Sequence, residues 1–128
     1  MALQRNGNRV TMPIDGAPAV PVLANLIVVR SATGAAVSTA GQQGFLGVTV
    51  EPSDPSGYTG IQLDFIVQIT AGANITSGQE VCSNAVGQAV PAFISSSGTP
   101  VQQVVGTAMN TALSGNLVDV LLNPSLVN

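Results

Sequence analysis

The chain has 128 residues, of which 45% are hydrophobic and only 7% are charged, and its formal net charge is −3. Because a typical soluble domain carries charge on about a quarter of its residues, we expect much of the surface to be covered by neighbouring protein. Three basic residues and a negative net charge exclude a nucleic-acid binder, since too few phosphates would be neutralised.

Residues 1–20 are polar and then rich in proline, and they predict an extended N-terminal arm. Proline and the residue before it favour extended backbone over helix. No apolar stretch follows the first charges, so we expect no secretory signal. The longest apolar stretch, residues 17–29, contains Pro18, Pro21 and Asn25 and is too short to span a bilayer as a helix, so we expect no membrane partner.

Residues 21–128 predict a single β domain of short strands separated by Gly, Ser, Pro and Asn. The clearest alternation runs from residue 60 to residue 70, where every second residue is apolar, as in a strand with one buried face. Short strands at this spacing indicate an all-β fold, either a small barrel or a sandwich. Residues 108–113 have a short helical alternative. The other predicted strands are residues 26–30, 44–51, 79–83, 89–95, 101–109 and 117–122.

The two halves of the chain share one order of motifs. Each half reads as a strand, a Gly-x-Ala-Val segment, an apolar-apolar-Gly strand, a Ser-Gly turn and a last strand. We therefore predict two related β units that share a core. The matching glycines, offset by 53, 59 and 58 residues, are Gly34 and Gly87, Gly47 and Gly106, and Gly57 and Gly115.

The sequence contains no His and no Lys, and its single cysteine is Cys82, which we expect to be a small buried apolar residue. One such chain cannot assemble a Ser-His-Asp or Cys-His arrangement, a Ser-Lys dyad or a structural zinc site. No glycine pattern of a phosphate-binding loop occurs. We therefore predict that the protein is not an enzyme and has no catalytic residue, metal or cofactor.

The charged residues offer two candidate sites. Glu51, Asp54 and Asp64 flank one loop and carry the oxygen ligands that a hard cation prefers, but their spacing matches no calcium loop, so we interpret them as exposed loop acids. The only basic residues are Arg5, Arg9 and Arg30. Since a guanidinium pairs well with carboxylates, we single out these three as contacts with a partner protein.

Four segments of the second half follow one another in a familiar order: ITSGQEV at 75–81, GQAVP at 87–91, VVGTA at 104–108 and SGNLVDVLL at 114–122. This order resembles the small capsid decoration (cement) proteins of tailed bacteriophages. The resemblance extends over roughly residues 20–122. The long polar arm and the Pro-Ser-Asp loop at residues 52–57 depart from the family's pattern.

The resemblance implies a compact β-barrel or β-tulip-like fold and a homo-oligomer, commonly a trimer. It implies a protein made in the host cytoplasm and placed on the outer capsid surface of the virion. There it would stabilise an icosahedral head by bridging neighbouring subunits of the major capsid protein, with Arg5, Arg9 and Arg30 as its capsid contacts.

Two other functions remain open from the sequence. The chain can be a fibre or spike head domain or another minor virion assembly module, which would be rare in the particle where a decoration protein is abundant. It can also be a ligand-binding or enzymatic β-barrel, which would need a concave pocket with converging polar groups.

Overall fold

The computed structural model describes residues 8–17, 19, 21–39, 42, 44–92 and 102–127. All regular structure in these ranges is β, in two five-stranded antiparallel sheets, so the all-β prediction is confirmed. No helix in the described ranges is long and apolar enough to cross a membrane. The first sheet contains β1 (Arg9–Pro13), β2 (Ile27–Arg30), β3 (Ala35–Val37), β4 (Phe45–Thr49) and β5 (Tyr58–Gln62). The second contains β6 (Ile66–Thr70), β7 (Glu80–Ser83), β8 (Ala89–Pro91), β9 (Gln102–Ala108) and β10 (Leu117–Val127).

The two sheets have the same topology. The strand order is β1-β5-β4-β2-β3 in the first and β6-β10-β9-β7-β8 in the second, so each strand has a counterpart five strands later. We call residues 8–63 unit 1 and residues 64–127 unit 2. The predicted pair of related β units is therefore confirmed.

The register of the two units agrees in their central strands. Val28 lies opposite Gly47 in unit 1, and Val81 lies opposite Gly106 in unit 2, which confirms the predicted offset of 59 residues between the two glycines. The predicted match of Gly34 with Gly87 is wrong by one residue, because Val28 pairs with Val37 and Val81 pairs with Pro91, an offset of 54 residues. The left-handed backbone position before β2 is occupied by Asn25 and its counterpart before β7 by a glycine, the two residue types that adopt a positive φ most readily.

Each sheet is curled but does not close into a continuous barrel. A single parallel bridge joins the edges of the first sheet between Ile14 and Ala35, and the counterpart bridge in the second joins Ala71 and Ala89. Among the described residues the edge strands make no other pairing with each other. The architecture is two small curled sheets in tandem, and the closed barrel expected as one alternative does not form.

The alternation at residues 60–70 does not belong to one strand. β5 ends at Gln62 and β6 begins at Ile66, and the chain turns between them. Phe65, an apolar member of the alternation, lies in this turn with φ of 65° and is 58% exposed. The sequence pattern joined two strands of different units because the turn between them contains no glycine or proline.

The structure adds detail to the expected arm and corrects one further expectation. Residues 9–13 of the expected arm form β1, which pairs with β5 along its whole length from Arg9 opposite Gln62 to Pro13 opposite Tyr58. Residues 1–7, 18 and 20 of that arm lie outside the described residues. The short helical alternative at residues 108–113 is wrong, because Ala112 makes an antiparallel bridge with Ile75 instead.

The two units share a hydrophobic core. Ile27 and Val48 of unit 1 are buried in the cluster formed by the inward residues of unit 2, among them Val67 and Val118. A second, smaller cluster lies within unit 1. The backbones also join, since the N–H of Ile27 donates to the carbonyl of Gly87 at 2.8 Å.

Gly87 makes this close approach of the units feasible. Its φ is 81°, and a Cβ there would lie 2.7 Å from Cγ1 of Val37 in unit 1. A side chain at this position would push the units apart, so this glycine is needed both for its backbone conformation and for the space it leaves.

Replacing Gly47 or Gly106 with alanine is expected to lower the free energy of unfolding by about 1–3 kcal/mol. At these counterpart positions a Cβ would overlap the backbone carbonyl oxygen of Gln62 or of Leu121 on the neighbouring strand. Gly60→Ala is the matched control, because its Cβ would meet only the flexible carboxylate end of Glu51, at 2.7 Å. Urea denaturation measures all three variants, and equal losses would contradict the steric argument.

Gln62→Ala is expected to lower the free energy of unfolding by about 1–3 kcal/mol. The buried Nε2 of Gln62 donates to the carbonyls of Asp64 at 2.9 Å and Ile66 at 3.1 Å, and these hydrogen bonds hold the turn between the units. The control is Gln103→Ala, whose Nε2 also donates to two carbonyls, those of Val104 and Ser125, but at a more exposed site. The free energy of unfolding of Gln103→Ala should fall by less than about 1 kcal/mol in the same urea assay. Similar losses for both would count against a role for Gln62 in the junction.

Candidate interaction surfaces

A polar cleft of about 180 Å³ lies at the junction of the two units. Its walls come from β1, β5 and the segments next to β2 and β4 in unit 1, and from β6 in unit 2. The pairing of β1 with β5 places Arg9 at the cleft, because Arg9 lies directly opposite Gln62 at the point where unit 1 meets unit 2. The lining residues are Arg9, Asn25, Val50, Gln62, Val67 and Gln68.

The chemistry of the cleft suits a carboxylate or an amide from another chain. Arg9 is exposed and supplies the positive charge, while Asn25 and Gln68 supply amide donors and acceptors. The Oε1 atom of Gln62 is buried and has no hydrogen-bond partner among the described residues. A partner side chain held here would meet several donors and one guanidinium, which is a binding arrangement and contains no nucleophile with an adjacent base.

The structure describes two of the three predicted arginine contacts. Arg30 is exposed at the end of β2, three residues beyond Ile27, whereas Arg9 lies on β1 at the junction. Arg5 lies outside the described residues. Arg9 and Arg30 therefore offer two separate points of attachment on unit 1.

Asp54 and Asp64 accept hydrogen bonds within the protein, Asp54 in a turn of unit 1 and Asp64 from Asn8. Asp54 accepts hydrogen bonds from the backbone N–H groups of Ser56 and Tyr58, both at 2.9 Å. Asp64 accepts from the N–H and the Nδ2 of Asn8, at 2.8 and 3.0 Å. Within the described ranges no group of three or more His, Cys, Asp or Glu side chains is placed to hold a metal ion.

Unit 2 presents an apolar surface that sequence reasoning missed. On β10 the side chains of Val118 and Val120 are buried, so Leu117 and Leu121 face outward, 42% and 40% exposed. Met109 donates its N–H to the carbonyl of Asp119 between them, and the carbonyl of Phe65 accepts from the N–H of Leu122. We call this surface the apolar strip: Phe65, Met109, Leu113, Leu117 and Leu121, all classed among the exposed large hydrophobic residues.

The counterpart positions in unit 1 carry polar side chains. Tyr58 stands at the position of Leu117, since it lies opposite Pro13 as Leu117 lies opposite Thr70. By the same pairing Gln62 stands at the position of Leu121. Asp54 corresponds to Leu113, because its carbonyl accepts the same turn hydrogen bond. Tyr58 and Asp54 are exposed like their counterparts, whereas Gln62 is buried at the junction with unit 2.

Cys82 is buried in β7, with 4% of its surface exposed, as expected for a small apolar residue. Burial disfavours the thiolate and raises the pKa of the Cys82 thiol above its ordinary value. Such a thiol is inert as a nucleophile at neutral pH.

No protein-family model and no curated protein matches the sequence. Among solved structures, the fold is similar to the crystal structure of the N base of the head fibre gp8.5 of bacteriophage phi29. The TM-score is 0.66, the sequence identity is 20%, and the match covers 91% of this chain and 93% of the other. At this identity the likeness establishes a shared fold, and it extends over both units.

The raised pKa of Cys82 predicts how stability depends on pH. The unfolded chain releases the thiol proton at a lower pH than the folded chain. The contribution of Cys82 to the free energy of unfolding is therefore intact below the ordinary thiol pKa and is lost as pH rises above it. Urea unfolding between about pH 7 and pH 10 should show this decline. Cys82→Ala is the control, since it removes the thiol and leaves every other titratable group in place. An identical decline in the variant would refute the assignment of the pH dependence to Cys82.

Proposed function

We propose that this protein is a structural virion protein that decorates and stabilises an icosahedral phage capsid by bridging neighbouring major capsid subunits. The observation that carries the proposal is the shared fold with the base of a phage head fibre, which spans nearly the whole of both chains. The order of motifs in unit 2 that resembles capsid cement proteins supports the same class of virion protein.

The surface of the chain supports a role in assembly. Only 7% of the residues are charged, and unit 2 exposes five large apolar side chains along one strip. Leaving such side chains in water costs about 25 cal/mol per Å² of apolar area, so a partner surface is the simplest explanation. A decoration protein stabilises a capsid through the interface area that it buries and through its many copies. Each contact can be modest, because the symmetry of the capsid repeats it many times.

A structural role also fits the chemistry of the side chains. We propose no enzymatic activity and no cofactor, because the sequence has neither His nor Lys and the cleft contains amides and one guanidinium. The working state in this proposal is a homo-oligomer, a trimer in the simplest case, on the outer capsid surface after synthesis in the host cytoplasm.

The two described arginines are the proposed capsid contacts. Arg9 in the junction cleft and Arg30 at the end of β2 are exposed on unit 1, and each can donate hydrogen bonds to a carboxylate of the major capsid protein. Arg5 joins them in the proposal. Such pairs act chiefly on specificity and on the rate of association.

The base of a head fibre is the second candidate, and the similar solved structure is the observation that favours it. The number of copies separates the two functions. A decoration protein is abundant in the particle, whereas a fibre base is present in few copies and carries a longer fibre.

Co-sedimentation with purified empty capsids tests the proposal. The wild-type chain should pellet with capsids in many copies, and Arg9→Gln/Arg30→Gln should weaken that binding about tenfold or more, with most of the loss at low salt. Glu51→Gln is the control, since it changes one exposed charge of the opposite sign and should bind normally. Failure of the wild type to bind capsids of its own phage would refute decoration, and a few copies per particle would favour the fibre base.

A further inference from the structure

The side chain of Gln62 brings an unsatisfied hydrogen-bond acceptor to the junction cleft. Its Nε2 donates to the carbonyls of Asp64 and Ile66, which fixes the orientation of the amide and leaves Oε1 as the atom still to be paired. Gln62 is only 1% exposed, and its Oε1 is buried without a hydrogen-bond partner among the described residues. Since buried polar atoms are nearly always paired with protein, water or a ligand, this acceptor calls for a donor that the described residues do not supply.

The other polar residues of the cleft define what else an occupant must offer. The guanidinium of Arg9 only donates hydrogen bonds, whereas the amides of Asn25 and Gln68 both donate and accept. An occupant must therefore present an acceptor to Arg9 and a donor to Oε1 of Gln62. The amides of Asn25 and Gln68 adapt to either kind of group.

A primary carboxamide meets both requirements. Its oxygen accepts from Arg9, and its NH₂ group donates to Oε1 of Gln62. An ionised carboxylate has acceptors only, so it would leave Oε1 unpaired. The cleft of about 180 Å³ is smaller than the roughly 300–1,000 Å³ of pockets for drug-sized molecules, so its size suits a single side chain.

The polar lining belongs to the junction and is not shared by the equivalent positions of unit 2. Strand pairing and turn hydrogen bonds identify the counterparts, which are apolar residues or glycine. The pairs are Arg9 with Ile66, Asn25 with Gly78, and Gln62 with Leu121. Polar side chains gathered at one cleft, at positions where the same fold also takes apolar ones, indicate a binding role.

We propose that the junction cleft binds a primary carboxamide, supplied by the side chain of an Asn or Gln of a partner protein. The partner is the major capsid protein, and in this respect the inference rests on the proposed function. Because a guanidinium has five N–H groups, Arg9 can donate to the amide oxygen in the cleft and also to a carboxylate outside it.

Acetamide tests the chemistry of the site, and acetate is the matched ligand that lacks a donor. Both are titrated at constant ionic strength into the ¹⁵N-labelled full chain and followed by NMR. Acetamide should shift the side-chain amide signal of Gln62 and the backbone signals of Asn25 and Gln68 to saturation, with a dissociation constant in the millimolar range. Acetate should bind there at least about tenfold more weakly. Absence of a saturable shift with acetamide means that water alone occupies the cleft and overturns the inference, as does equal binding of acetate.

Two substitutions of Val50 test whether acetamide binds in the cleft. Val50→Met introduces the residue that unit 2 carries at this position, Met109, and its longer side chain should fill the cleft and weaken acetamide binding about tenfold or more. Val50→Ala is the control, since it shortens the same wall and should bind acetamide as the wild type does. Equal binding by Val50→Met and the wild type would contradict the assignment to the cleft.

Circular dichroism melts establish that each variant is folded. If Val50→Met fails to fold, Arg9→Ile takes its place, because Arg9 is exposed and isoleucine is the residue of unit 2 at this position. Loss of the charged donor should weaken acetamide binding about tenfold. Unchanged binding by Arg9→Ile overturns the inference.

Co-sedimentation with empty capsids separates this inference from the proposed function. Val50→Met should bind capsids about tenfold more weakly than Val50→Ala, since the partner side chain can no longer enter. If Val50→Met loses acetamide but binds capsids normally, the capsid protein does not occupy the cleft and the inference is wrong in its partner. A wild-type chain that binds acetamide but no capsids refutes decoration and leaves the carboxamide site standing.

Discussion

The burial of two unit 1 side chains in unit 2 holds the molecule together. Ile27 and Val48 join the hydrophobic cluster of unit 2, and burying one such aliphatic side chain contributes roughly 1.5–3 kcal/mol. Neither curled sheet is large, and small sheets bury little surface alone. The tandem arrangement therefore provides the common core that each unit lacks, and Gly87 permits the close approach that this core requires.

The repeat explains why equivalent positions differ in character. Ile27 and Val48 are buried at the junction, whereas their counterparts in unit 2 are Glu80, which is exposed, and Thr107, which is half-buried. The face of unit 1 that contacts unit 2 is apolar, and the corresponding face of unit 2 is polar because no third unit covers it. On the opposite side, unit 2 exposes the apolar strip, whereas Gln62, the counterpart of Leu121, is buried at the junction. Equivalent positions therefore differ because only one unit has the other as a neighbour on that side.

A protein whose surfaces differ in this way needs no reactive group to have a function. The junction cleft gathers amides and one guanidinium, the strip gathers apolar side chains, and the thiol is buried. All three observations fit the proposed role, in which the protein acts through contact surfaces. The fold shared with a phage head fibre base supports both proposed functions, capsid decoration and fibre attachment.

Local patterns in the sequence were sufficient to predict the all-β fold, the repeat and several strands, including β2, β4, β7 and β9. These features depend on alternation and turn residues within a few positions, and the matching glycines Gly47 and Gly106 marked equivalent sites because no side chain fits there. Only the tertiary structure decided that the alternation at residues 60–70 is broken, that residues 9–13 form an edge strand, and that Leu117 and Leu121 face water. An alternating pattern predicts that one face of a strand is buried, but which face it is and what covers it depend on contacts between residues far apart in the chain.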